Sequence, residues 1–502
     1  MSNLLYDTLF GFHVENDKPF LTYYDGSQIS YDAFLRMASR FANVIKAAGL
    51  VAGDRLAVQV EKSAEALAIY AACVQSGVIF LPLNTAYKPA EVDYFICDSG
   101  ARMLISSDAA ALQPVAAARN VILHHMAADG SGSFTKLAAD VSDQFIPVPR
   151  TGNDLAAFLY TSGTTGRSKG AMLTQNNLLS NAQTLVNAWR FTERDVLLHA
   201  LPIFHTHGLF VATNIILLAR ASMIFLPKFD VDLIFALLPR ATSMMGVPTF
   251  YTRLLDDERL NADSTQHIRL FVSGSAPLLA ETHIQFSERT GQQILERYGM
   301  TETNMNTTNP YDGPRRAGTV GMPLAGVELK ITNPETGAIL EDGTIGQIEV
   351  RGPNVFVGYW NMPEKTRQEF REDGFFITGD LGFIDDQGYV QIVGRNKDLI
   401  IAGGYNIYPK EIELILDDQP GVLESAVIGV PHADFGESVL GVLVPDNSGL
   451  LDLEKITESL EASLAKFKQP RKLIVVDALP RNAMGKVLKN ILRDTYGTAD
   501  LA

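Results

Sequence analysis

Residues 159–170, LYTSGTTGRSKG, pass from an apolar run into a loop of small hydroxylated residues and glycines and then reach a lysine. That composition suits an anion. Gly163, Gly166 and Gly170 permit backbone turns that a side chain forbids, so successive N–H groups can face one phosphate. Thr161, Ser162, Thr164, Thr165 and Ser168 add hydroxyl donors, and Arg167 and Lys169 add positive charge. The Walker pattern does not fit, because it needs a lysine followed directly by Ser or Thr, and here Gly170 follows Lys169. Downstream, Ala171, Met172 and Leu173 read as a short strand, and Thr174 offers an N-cap to a helix over 175–188. Upstream, residues 155–160 read as a buried strand. The loop is therefore expected to join two core strands, which a flexible linker rarely does.

The 502 residues give the chain length for several domains, at roughly 150 residues each. Apolar residues make up 46% and charged residues 20%, which suits a soluble protein with a large core, and no apolar run approaches a membrane span. A formal charge of −15 opposes non-specific nucleic-acid binding, so a polyanionic ligand has to be met by local positive charge. Cys73 and Cys97 are the only cysteines, which excludes a disulfide framework or a cysteine metal site. Cys97 reads as a packed apolar side chain on a helix over 89–98. The first twenty residues include Glu15 and Asp17 and lack a basic leader with an apolar core, so a cytoplasmic location is expected.

Periodicity predicts a helix over 29–50 entered through Ser30, a strand at 55–60, a helix over 63–76 and a strand at 78–82. With short strands at 104–105 and 121–123, this alternation describes an α/β fold, a parallel sheet with helices packed on it. His205 and His207 follow the phosphate loop in the stretch HALPIFHTHGL at 199–209. On an extended segment they would share one side, and no third ligand lies at metal-site spacing. Residues 270–278 and 294–303 each read as a strand running into a polar turn, and ligands of open α/β sheets sit at such carboxyl ends. Ser275, Ala276 and Pro277 are small enough to admit an adenine ring, and Tyr298 offers it a flat face. Glu302 is a hard carboxylate suited to Mg2+, with the Thr164 hydroxyl as partner. Arg297 is costly to bury alone; a second carboxylate on a substrate would offset that cost, as would an internal acid. Its neighbour Glu296 is a poor candidate, since adjacent strand residues face opposite ways.

The phosphate loop, the Phe-His-x-x-Gly pattern at 204–208, YGMTE at 298–302, TGD at 378–380, GRNKD at 394–398 and PRNAMGK at 480–486 together resemble the AMP-forming acyl-CoA synthetases. The resemblance spans nearly the whole chain. It implies a large N-terminal domain over 1–396, with parallel sheets and an additional β subdomain. A small α+β lid over 397–502 would turn on a hinge at Lys397. ATP would be held by Thr161, Ser162, Gly163, Thr164, Thr165, Gly166 and Lys169, by Ser275, Ala276 and Pro277, and by Tyr298, Gly299, Met300 and Thr301. Asp380 and Arg395 would take its ribose, and Glu302 with Thr164 the magnesium ion. Lys486 would be the catalytic lysine, His205 the residue orienting the acyl carboxylate, and Gly403 and Gly404 part of the tunnel for coenzyme A (CoA). Lys486 is also a candidate target of a lysine acetyltransferase and deacetylase. Arg297, His207 and the run ERYGMTETNMNT at 296–307 resemble the malonyl-CoA synthetases in particular, which implies malonate as substrate with methylmalonate its nearest competitor. A short-chain acyl-CoA synthetase of other specificity and an enzyme loading a separate carrier protein are the alternatives.

Overall fold

The computed structural model describes every residue except 1, 162–167, 403–404, 433–434, 447, 483–484 and 498–502. By packing, the chain divides into a first unit, running to Glu328 and again over Arg351–Phe376, and a second unit of Leu329–Val350 and the residues from Ile377 onward.

Two sheets build the first unit. One has six strands in the order Ile122–His125, Met103–Ser106, Arg55–Gln59, Ile79–Pro82, Leu155–Thr161 and Lys169–Thr174. All its pairings are parallel except the last, where Tyr160 faces Gly170 and Thr161 faces Lys169 across an antiparallel ladder. The phosphate loop thus joins two strands of one sheet, as expected. The nine-stranded sheet has a parallel core running Ile294–Met300, Leu270–Ser273, Ser243–Gly246, Val196–His199 and Ser222–Phe225. Helix starts follow local capping chemistry. The Ser30 hydroxyl accepts from Ala33 N ahead of Tyr31–Ala47, that of Ser63 accepts from Ala66 N ahead of Ala64–Ser76, and Thr174 and Asn177 form a reciprocal box ahead of Gln175–Ala188. Ala64–Ser76 is buried on almost every face, because alanines and Leu67, Ile69 and Val74 occupy each of its turns.

Cys73 lies inside that helix. Cys97 corrects its sequence reading: on Pro89–Ser99 the inward face is Val92, Phe95 and Ile96, and Cys97 falls outside it, exposed. Among the described residues no helix is long and apolar enough to cross a membrane.

The second unit carries most of a four-stranded sheet, ordered Glu328–Thr332, Gly346–Arg351, Phe376–Ile384 and Val390–Arg395. It also carries a sheet centred on the long antiparallel pair Val422–His432 and Gly436–Pro445, backed by Pro409–Asp417 and Leu453–Ser463. By packing, residues 329–350 and 377–396 group with the C-terminal segment. Lys397 sits in the single turn Asn396–Asp398. The buried anchor of this unit is Glu413, which accepts from Val427 N at 3.0 Å and pairs with Lys489 Nζ at 2.5 Å. Burial alone would raise its carboxyl, but Lys489 and Lys410 hold it below the ordinary glutamate value. A depressed carboxyl adds stability above its unfolded value and loses it as pH falls through the folded one. Glu413→Ala strands Lys489 and should cost about 3 kcal/mol in urea unfolding near pH 7. The difference from the unmodified chain should narrow as the pH drops below the glutamate range.

Candidate active site

Most site residues expected in the first unit follow the carboxyl ends of parallel strands, while Lys169 opens the antiparallel strand Lys169–Thr174. The strand Leu155–Thr161 leads into the phosphate loop, Val196–His199 leads to His205 and His207, Leu270–Ser273 to Ser275, and Ile294–Met300 to Thr301 and Glu302. The two sheets meet there. His205, Phe204 and Thr301 from one line a narrow cleft with Pro82, Leu159 and Tyr160 from the other. Burial draws the His205 imidazole down to about 4, so it is neutral near pH 7.

Behind His205 the chain enters a one-turn π-helix, His207–Thr213, in place of the extended segment that would have aligned the two histidines. His207 is buried, its Nδ1 is 3.2 Å from Ser275 Oγ, and its Nε2 has no hydrogen-bond partner among the described residues. Burial, then the nearby Arg297 charge, push its imidazole well below the ordinary value. Ser275 holds φ at +74°, a left-handed conformation that costs a serine energy and persists at functional loops.

Arg297 is 4% exposed, and its Nε and Nη2 find no hydrogen-bond partner among the described residues. Desolvation lowers the guanidinium to about 9, a direction seldom seen for arginine. The rival partner Glu296 faces away, with its Oε1 3.5 Å from His283 Nδ1. Gly274 makes room for the guanidinium: a Cβ there would lie 2.3 Å from Arg297 Cζ.

Thr161 ends its strand, while Ser162, Gly163, Thr164, Thr165 and Gly166 lie outside the described residues. Lys169 Nζ lies 3.1 Å from Glu369 Oε1 and 4.0 Å above the Tyr359 ring. Tyr359 Oη is in turn 2.9 Å from Glu302 Oε1 and 2.7 Å from Glu369 Oε2. The lysine of the loop and the expected metal carboxylate are therefore linked through one phenol. Glu302 is a buried carboxylate, the kind of ligand that suits magnesium, which takes one or two carboxylates and fills its shell from phosphate and water. Tyr298 is buried on the strand Ile294–Met300 beside the register shift at Gly299, with Met300 and Thr301 half-buried after it, and Ala276 and Pro277 follow Ser275 toward the surface.

In the second unit Asp380 faces Arg395 across an antiparallel pair, Oδ1 to Nε at 2.7 Å, and Arg395 also donates to Thr378 O. Lys486 belongs to the same cluster. Although the residue keeps exposed surface, desolvation of its ammonium and then Arg395 draw it down to about 8, with Asp380 opposing. Gly403 and Gly404 lie outside the described residues. Sequence reasoning passed over Lys62, His199, Tyr359 and Glu369. Each meets its partner across a long stretch of chain, and only the GYWN run that contains Tyr359 offered a local signal.

The family model "AMP-binding enzyme" matches residues 12–360, and "AMP-binding enzyme C-terminal domain" matches 411–486. A malonate–CoA ligase of Arabidopsis thaliana is 36% identical over 89% of this chain and 78% of its own length. A feruloyl-CoA synthase of an Amycolatopsis species is 34% identical over 94% of this chain and 95% of its own. The crystal structure of ATP-bound MatB from Rhodopseudomonas palustris is 57% identical over 99% of both chains, with a TM-score of 0.97.

If the space beside Gly274 exists for Arg297, Gly274→Ala should destabilise the protein by about 1–3 kcal/mol through overpacking. In an Arg297→Ala background that penalty should vanish. A thermal double-mutant cycle measures the coupling, and additive losses would contradict it.

Proposed function

Because this chain belongs to the AMP-binding enzyme family, we propose that it is an ATP-dependent malonate–CoA ligase. It forms malonyl-CoA through a malonyl-adenylate with release of AMP and pyrophosphate, and accepts methylmalonate as a secondary substrate. Identity alone does not choose the acid, since relatives at 36% and 34% are named for malonate and for ferulate. The observation that favours a diacid is the desolvated Arg297, whose Nε and Nη2, like His207 Nε2, have no hydrogen-bond partner among the described residues. Leaving such a group without a partner costs several kcal/mol, and a substrate's second carboxylate offsets it through a bidentate pair. A ferulate ring has no anion to offer there.

The reacting carboxylate then points toward His205, which is neutral and orients it without adding charge. Its attack on the α-phosphorus brings an anion to a polyanion, so the barrier is chiefly electrostatic. Loop N–H groups, Lys169 and Lys486 supply donors where charge develops. Magnesium, held by Glu302 and Thr164, would neutralise phosphate charge. Asp380 accepts from the ribose hydroxyls and Arg395 steadies it. For the second step the CoA thiol attacks the acyl carbonyl, approaching along Gly403 and Gly404. Lys486 and those glycines serve different half-reactions, so the segment beyond Lys397 turns between them.

Pyrophosphate exchange over a panel of acids, with mass detection of the thioester, tests the substrate. Malonate should exceed acetate and butyrate, and Arg297→Ala should raise the malonate KM far more than the ATP KM while relatively favouring the uncharged acids. An unmodified enzyme that prefers acetate ends the diacid reading. Lys486→Ala should slow adenylation by about a hundredfold, the loss typical of one transition-state donor. Thioester formation from pre-made malonyl-adenylate should be largely spared, and equal loss in both half-reactions would contradict the role.

A further inference from the structure

Lys62 follows the strand Arg55–Gln59 of the six-stranded sheet, yet its ammonium reaches the nine-stranded one. Nζ lies 2.8 Å from His199 Nδ1, 2.8 Å from His199 O, and 4.4 Å above the Phe225 ring. No acid is among these partners. Burial drives the ammonium well below the ordinary lysine value, so the contact is maintained at a real cost. His199 Nε2 lies 2.9 Å from Gly208 O, and Gly208 is the second residue of the π-helix that begins at His207.

Donor arithmetic fixes the chain. A carbonyl oxygen only accepts, so His199 Nε2 must carry the proton that is shared with Gly208 O. The imidazole is neutral, held well below the ordinary histidine value by burial and then by Lys62, so Nδ1 is a bare acceptor. The Lys62 nitrogen, which carries N–H donors whether charged or neutral, is the complement to that nitrogen. Without it the other tautomer would become available, and that tautomer sets a lone pair against the Gly208 carbonyl. Gly208 cannot relax easily, since a Cβ there would lie 2.1 Å from Pro202 O. Its carbonyl also accepts from Thr213 Oγ1 at 3.0 Å, so the turn is held from two sides.

We propose that Lys62 is a positioning residue for the acyl site: it locks His199 in the Nε2–H tautomer, and His199 through Gly208 fixes the π-turn that aims His207 at Ser275 and Arg297. The inference rests on the acyl site lying at His207 and Arg297, and it adds a residue that touches no substrate.

Selective 15N labelling of histidine in the full-length enzyme, with His199 assigned by comparison with a His199→Gln variant, reads the tautomer directly. Nε2–H is expected at His199, and a proton on Nδ1 overturns the proposal whatever the variants do. Lys62→Met should raise the KM of the acid by about tenfold or more, as a misplaced binding group does, with the ATP KM changed less than about twofold. Lys62→Arg, which keeps a donor, should recover most of that loss. The KM is measured with whichever acid the unmodified enzyme uses best, so a failure of the malonate reading shows in the acid panel and leaves this test intact. A folded Lys62→Met enzyme with an unchanged acid KM, or with equal rises for acid and ATP, would sink the positioning role.

Discussion

A guanidinium taken out of water with no carboxylate among the described residues to meet it is the constraint around which the first unit is arranged. Arg297 could be tolerated there only if its surroundings were rigid, because a loose pocket would let the side chain swing to solvent or admit water. The structure supplies that rigidity in kind. Gly274 gives up its side chain so the guanidinium can lie against the backbone, and Ser275 accepts a left-handed φ while its hydroxyl meets His207. The neighbouring acid Glu296 is turned to the opposite face of its strand and engaged by His283. An anion that met this guanidinium would offset the cost of burying it.

Parallel strands explain why residues from five distant segments converge on that point. In such sheets the carboxyl ends share one edge, and here two sheets bring their edges together, so Tyr160 and His205 line one cleft. This much was legible in the chain. Ser30 and Thr174 marked helix starts that the structure reproduces, because capping is a local hydrogen-bonding problem. That Glu296 would not meet Arg297 was legible too, since strand alternation turns it to the other face, but whether another acid would was not.

What escaped was non-local or out of period. Lys62 and His199 stand 137 residues apart and Lys169 and Glu369 stand 200 apart, and nothing in either short stretch announces the other. The π-turn at His207–Thr213 is invisible to patterns that assume 3.6 residues per turn. Cys97 was misread because a thiol carries little hydrophobic signal of its own, and three larger neighbours already define the buried face of its helix.

The inward placement of positive charge shapes how an anion reaches this molecule. With a formal charge of −15 and the Arg297 cation enclosed by protein, an approaching anion is repelled at long range and attracted only over the last few ångströms. At physiological ionic strength the screening distance is about 8 Å. Dissolved salt therefore weakens the outer repulsion more than the enclosed attraction. Encounter is eased by ions that would slow a protein steering its substrate with a positive surface.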